Sequence, residues 1–154
     1  MRRSKQALTK AECIDILKAE PRGVLAVAGD GGYPYALPLS HCYDESTGTL
    51  VFHCAKVGHK LDAIQANDKV SFCVQDKGFV KPGDWALNIK SVIVFGRMRL
   101  VDEEMRAKEI CRLLGRKFFP TEAEMEADLQ KHFSKVQCME LVIDHMSGKL
   151  VKES

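Results

Sequence analysis

The sequence predicts a mostly β domain: about six antiparallel strands closed into a barrel, with helices at its periphery. Three observations predict it. Apolar and β-branched runs follow one another at hairpin distance, separated by turns such as Gly29-Asp30-Gly31-Gly32 and Glu45-Ser46-Thr47-Gly48. Strict alternation marks Lys69-Val70-Ser71-Phe72-Cys73-Val74. Helical periodicity is confined to early, middle and late segments. Strands linked this closely pair antiparallel, and closing such a sheet removes its exposed edges.

The elements follow in order. Thr9-Lys10-Ala11-Glu12 is a capping box that opens a helix ending near Glu20, before Pro21. Cys13, Ile16 and Leu17 form its apolar stripe. Gly23 to Ala28 is a buried strand, and Tyr33 to Tyr43 returns as the second. Leu50 to Cys54 is the third. A short helix runs from Gly58 to Ala66, and Lys69 to Val74 is the fourth strand. Asp76 to Asp84 reads as a polar loop. Ser91 to Val101 is the longest strand, and Gly96 inside it predicts a bulge or the close approach of another backbone. Asp102 is expected to cap a helix whose Ala107, Ile110, Cys111, Leu114 and Phe118 share one face. Pro120 ends that helix, and Thr121-Glu122-Ala123-Glu124 caps the next, to about Phe133. Val136 to Asp144 is the last strand.

A chain of 154 residues is read as one domain, 1–154, long enough for a real core. The formal net charge of +2 implies no general affinity for nucleic acid or acidic membranes. No apolar run approaches the roughly 20 residues of a membrane span. Met1-Arg2-Arg3 is basic, but no apolar stretch follows it as in a signal peptide, so a cytoplasmic protein is expected. The six cysteines are scattered without a CxxC pair and read as reduced, buried, small apolar residues.

Two segments carry chemistry. In Gly32-Tyr33-Pro34-Tyr35-Ala36-Leu37-Pro38-Leu39-Ser40, two prolines each remove a ladder donor, which marks an edge or bulged strand. Its unused backbone groups either face a flat ligand or belong to a plain hairpin arm with aromatic cross-strand packing. In Phe52-His53-Cys54-Ala55-Lys56-Val57-Gly58-His59-Lys60, a strand empties into a helix start. Free N–H groups and the helix dipole favour an anion there. His53, Lys56, His59 and Lys60 add cationic or donor side chains, a set suited to phosphate.

Phe52-His53-Cys54-Ala55 followed by Gly58-His59-Lys60 resembles the phosphate-binding segment of FMN-binding split-barrel proteins, the pyridoxamine 5'-phosphate oxidase-like superfamily. The Gly32–Ser40 strand, with Pro38 three residues after Tyr35, is similar to that of the branch near the nitroimidazole-resistance (Nim) proteins. The resemblance runs from Thr9 to Lys149. It implies a six-stranded split barrel that binds FMN. Pro38, Leu39 and Ser40 would lie along the isoalloxazine ring. Gly58, His59 and Lys60, with Cys54 and Ala55 before them, would form the phosphate end, and Lys60 is the first choice for the phosphate itself. His53 would reach phosphate or ribityl chain, unless it is an ordinary strand histidine. His59 faces phosphate or solvent, and Lys56 is read as surface. Ser71 would sit on the strand beside the ring.

The family also implies a homodimer with flavin sites at the subunit interface. Ser91-Val92-Ile93-Val94-Phe95-Gly96 matches its interface strand, and Val92, Val94 and Phe95 offer more apolar surface than one chain covers. Trp85 either covers the partner's flavin or anchors local packing. The implied activity is an oxidoreductase passing electrons from reduced nicotinamide to a small acceptor. Nitroimidazole reduction is the nearest named activity, although no substrate is fixed. The tail from His145 to Ser154 lacks the arginine- and histidine-bearing pattern of true pyridoxamine-phosphate oxidases. No catalytic residue is legible; His41 is a weak acid–base candidate. Two other readings stay open: a flavin carrier or sensor without turnover, and a haem-binding split barrel using His53, His59 or His145. A zinc site at His53, Cys54 and His59 has the wrong spacing, and no P-loop or GxGxxG motif is present.

Overall fold

The computed structural model describes residues 6–153; the Met1-Arg2-Arg3 start lies outside them. Helix α1 (Lys10–Ala19) is opened by the expected capping box. Glu12 N donates to Thr9 Oγ1 at 3.2 Å, and Thr9 N donates to Glu12 Oε2 at 2.8 Å. Then follow β1 (Arg22–Ala28), β2 (Pro34–Ser40), β3 (Cys42–Asp44), β4 (Thr49–Ala55), α2 (His59–Ala66), β5 (Lys69–Gln75), β6 (Phe79–Val80) and β7 (Leu87–Val101). Helices α3 (Glu104–Phe118) and α4 (Glu122–His132) precede β8 (Val136–Glu153).

All strands join one antiparallel sheet in the order β2-β1-β5-β7-β8-β4-β3, with β6 also on β7. The two ends of this path, β2 and β3, are neighbours in the chain, joined through His41 alone. A sheet whose edge strands are so tethered must curl back on itself, which gives the split barrel.

The strand count is eight rather than six, and each difference has a local cause. The expected second strand breaks at His41, whose side chain turns into the core and whose N–H donates to Pro21 O at 3.3 Å. The Asp76–Asp84 loop holds β6. Asp76 Oδ1 accepts from Gly78 N and Lys90 N, folding the loop onto β7, and Asn88 Nδ2 donates to Phe79 O at 3.2 Å. The cap of α3 is Glu103, not Asp102; its carboxylate accepts from Met105 N at 2.9 Å and Arg106 N at 2.7 Å. Strand β8 runs on past Asp144, because β7 extends down to Leu87 and supplies it with a partner. Gly148 permits this, since a Cβ there would stand 2.5 Å from Cys13 Sγ of α1.

Inside the barrel, Leu25, Leu50, Phe52, Phe72, Val92, Val94, Met139 and Leu141 are fully buried, with Leu17 of α1 plugging one end. Fully burying each of these large side chains contributes roughly 1.5–3 kcal/mol. Phe52 and Phe72 meet edge-to-face at 5.1 Å. Two glycines allow the backbones to approach. A Cβ on Gly23 would lie 2.6 Å from the Phe72 ring, and one on Gly96 would lie 2.0 Å from Val142 O. The β7–β8 register shifts at Phe95/Gly96, the predicted bulge.

A second cluster lies outside the sheet, where Val51, Val101 and Cys138 pack under Ala107, Ile110 and Leu114 of α3. Arg106 anchors that helix. Its guanidinium donates to Asp44 Oδ2 at 2.7 Å and to the fully buried Glu140, which Arg99 also engages. Helix α4 crosses α3 closely where Gly115 meets Met125, and Arg112 Nε donates to Glu126 Oε1 at 2.6 Å.

Candidate functional site

Hydrogen-bonded pairing leaves one gap in the barrel. Strand β2 is paired along one edge only, with β1. Strand β3 covers β4 only at Thr49–Val51, so the stretch from Phe52 to Ala55 is paired on the β8 side alone. The free edges of β2 and β4 lie beside each other. Backbone donors and acceptors there are available to a ligand, as the two prolines of β2 predict.

The α3–α4 hairpin roofs the gap over a half-open cavity of about 520 Å³. Its β-sheet wall is Arg22, Pro38, Leu39, Ser40, His53 and Val136, and its helical wall includes Cys111, Leu114, Phe118, Phe119, Met125, Asp128, Leu129, His132 and Phe133. The wall is mostly apolar and aromatic, with few polar groups, the usual make-up of a small-molecule site. His53 lies on the outer face of β4 and is both reached by solvent and hemmed in by the cavity wall. Burial pushes its imidazolium below the usual histidine range, and the Asp128 carboxylate works against that shift.

The anion turn lies at the other end of β2. Gly58 holds φ 148° and ψ 157°, a backbone favouring glycine, and no side chain caps α2. Leu61 N and Asp62 N donate to Gly58 O at 2.9 and 3.3 Å, which leaves the His59 and Lys60 N–H groups at the helix start for an outside acceptor. Tyr35 of β2 packs edge-to-face on His59 at 4.7 Å, so strand and turn are in direct contact. His59 Nδ1 stands 3.8 Å from Asp30 Oδ2, and Lys60 is half-buried at the helix start. From Tyr35 to Ser40 the strand advances about 16 Å. Strand β2 thus links the turn at one end to the cavity at the other.

The expected site residues divide into three groups. Pro38, Leu39, Ser40 and His53 line the cavity, while Gly58, His59 and Lys60 form the turn, with Ala55 exposed between the two. Cys54 is on β4 too, but its side chain packs inward against the barrel core, and burial raises its thiol. Ser71 and Trp85 are elsewhere. Ser71 lines a second concavity of about 680 Å³ with Phe95 and Lys69, and Trp85 is 78% exposed and lines neither.

His41 is not an acid–base group. It is fully buried against Phe72, with Nε2 2.9 Å from Leu17 O, and burial beside Lys117 pushes its pKa down to about 4. Of the three haem-ligand candidates only His53 reaches the cavity; His59 contacts Tyr35, and His145 stacks on Phe95 at 6.2 Å. His132 faces the cavity instead. Val92 and Val94 do not belong to an open face but are buried in the chain's own core; Ile93 and Phe95 are the exposed apolar side chains of β7. Among the described residues no three His, Cys, Asp or Glu side chains gather as a cation site, and no helix is long and apolar enough to cross a membrane.

The fold recurs among solved structures. A candidate 5-nitroimidazole antibiotic resistance protein of Bacteroides thetaiotaomicron shares 15% identity, with a TM-score of 0.78 over 96% of this chain and 87% of that one. An FAD-binding protein of Mesorhizobium loti shares 24%, with a TM-score of 0.68 over 95% and 97%. An FAD- and haem-binding protein of Mycobacterium smegmatis shares 21%, with a TM-score of 0.77 over 96% and 73%. At these identities the likeness establishes the fold alone. No curated protein matches the chain. A family model described as pyridoxamine 5'-phosphate oxidase matches residues 9–150, from the cap of α1 into β8. That span includes the split, the roofed cavity and the anion turn, and the chain belongs to the pyridoxamine 5'-phosphate oxidase family.

Proposed function

We propose that this protein binds FMN, with the isoalloxazine ring along the free edge of β2 and the phosphate at Gly58–Lys60. The observation that carries the reading is that one strand, β2, joins the turn to the cavity. Tyr35 touches the anion turn at one end of β2, and Pro38–Ser40 wall the cavity at the other. A tricyclic ring, a five-carbon chain and a terminal phosphate in a line match that order of surfaces. The flavin-binding descriptions of several structural neighbours agree with it. FMN supplies the redox chemistry when bound, while the chain binds it, orients it and keeps water from it.

We further propose an oxidoreductase that passes electrons from reduced nicotinamide to a small acceptor, and a homodimer that shares its flavin sites. The half-open cavity beside Pro38 leaves room for an acceptor. Val24, Ile93, Phe95 and Val142 are exposed on the outer face of the sheet, the kind of apolar area that marks an interface. Trp85, which contacts neither concavity of its own chain, is free to reach a partner.

Titrating apo-protein with FMN, FAD and riboflavin tests the cofactor. One FMN per chain, bound more tightly than riboflavin, is expected. Absence of flavin uptake by folded apo-protein would overturn the proposal. Oxidation of reduced nicotinamide by holo-protein with an added acceptor then separates an enzyme from a flavin carrier.

A further inference from the structure

The helical wall of the cavity carries a thiol that flavin binding does not use. Cys111 of α3 lines the cavity, and its Sγ lies 3.5 Å from Sγ of Cys138 on β8. Cys138 is buried, and across the β4–β8 ladder its register partner is His53. The pair therefore sits in the cavity wall, with Cys111 lining it and Cys138 buried behind. A disulfide needs the sulfurs at about 2.0 Å, an approach of roughly 1.5 Å from where they stand. That distance is within reach of side-chain rotation, since α3 and β8 are already in contact through Ala107 O, 3.4 Å from Cys138 Sγ.

We propose that Cys111 and Cys138 form a redox-active dithiol, oxidised to an intramolecular disulfide by hydroperoxides that enter through the cavity. Cys111 is the attacking sulfur and Cys138 the resolving one. In the first step Cys111 sulfur attacks the peroxide oxygen. An S–O bond forms, the O–O bond breaks, and the displaced hydroxide takes the thiol proton and leaves as water. In the second step Cys138 sulfur attacks the sulfenic sulfur. The S–S bond forms, the S–O bond breaks, and hydroxide takes the Cys138 proton. Two thiols are oxidised by two electrons, and one hydrogen peroxide is reduced to two waters.

The surroundings assign the two roles. The hydrogen bond with Cys138 and, less strongly, the neighbouring Arg112 favour the Cys111 thiolate, against the cost of burial. Cys138 is buried, and it is held as the thiol by that same contact and by burial. The other four cysteines are free too, but Cys13, Cys42, Cys54 and Cys73 do not line this cavity. The proposal does not depend on bound FMN.

One equivalent of hydrogen peroxide added to purified wild-type protein, followed by non-reducing peptide mapping, tests it. The expected product is a single species two hydrogens lighter, in which the Cys111 and Cys138 peptides are joined and dithiothreitol separates them. In Cys138→Ser the reaction should stop at sulfenic acid on Cys111, trapped there by dimedone. In Cys111→Ser neither cross-link nor adduct at residue 138 should form. Wild-type protein that keeps both thiols, or that oxidises first at another cysteine, would refute the dithiol. The wild-type map requires no substitution, so it decides the matter even if a variant fails to fold. Failure of FMN binding with the cross-link present would count against the cofactor proposal alone.

Discussion

Lys60 and His41 show how one residue's surroundings decide its part. Lys60 stands at the start of α2 behind a glycine, where a phosphate would meet both its charge and free N–H groups. Lys60→Ala is expected to weaken FMN binding by roughly 1.5–3 kcal/mol, ten- to over a hundredfold. Riboflavin, lacking the phosphate, should bind both forms alike; equal weakening of the two ligands would remove Lys60 from the phosphate. His41 acts on stability instead. Its pKa falls from 6.5 to about 4 in the fold, so the folded form resists protonation that the unfolded chain accepts. Its stabilising effect is therefore complete above pH 6.5 and is lost as pH falls towards 4, a change of roughly 3 kcal/mol. Urea midpoints measured from pH 7 to 4.5 should fall more steeply for wild type than for His41→Gln, and parallel slopes would disprove this. The Gly58–Lys60 turn was legible because these residues and the helix start are contiguous. The cavity's other wall was not. Asp128, His132 and the Phe118-Phe119 pair lie far along the chain from Pro38, and only the tertiary fold brings them together. The aromatic pair at the end of an amphipathic helix was the one local signal available. His41 misled for the same reason: its nearness to Leu39 in sequence says nothing of the break that turns it inward.

Among the elements, α3 depends most on a single contact. Its amphipathic face was readable from Ala107, Ile110 and Leu114, but the stripe does not say which strand it covers. Arg106 settles that by tying the helix to Asp44 of β3 and Glu140 of β8. Burial would raise the Asp44 carboxyl, but hydrogen bonds from Ser46 and Arg106 outweigh it and hold it below the ordinary value. Arg106→Ala leaves the buried Glu140 with Arg99 alone and Asp44 without its cation. A loss of about 3 kcal/mol is expected, read as a drop in the urea midpoint at unchanged slope. A cost below about 1 kcal/mol would mean the network is solvated. Most strands were legible from alternation and turn residues. β6 was hidden because two residues carry no period, and the break between β2 and β3 because a buried histidine rather than a Gly or Pro makes it. The end of β8 was missed because its length is set by its partner β7, not by its own composition.

At the scale of the molecule, the outer sheet face carries Val24, Ile93 and Phe95, with Cys73 in register between Val24 and Ile93, and Phe95 is 51% exposed. If two copies bury that face, Ile93→Lys with Phe95→Glu should turn a sedimenting dimer into a monomer, and FMN affinity should fall with it. A double variant that stays dimeric would place the interface elsewhere. The order of the sheet has a further bearing on how the chain reaches its fold. β8 comes last in the sequence yet lies in the middle of the sheet, between β7 and β4, and Leu50 pairs with Leu141. During synthesis the hairpins β1–β2 and β3–β4 can form early, but β4 has no long partner until the final strand emerges. Until then its edge is open to pairing with other chains. Such distant pairing is slow to form, so closure of the barrel waits until β8 has left the ribosome, and a ribosome stalled within α4 holds an incomplete sheet.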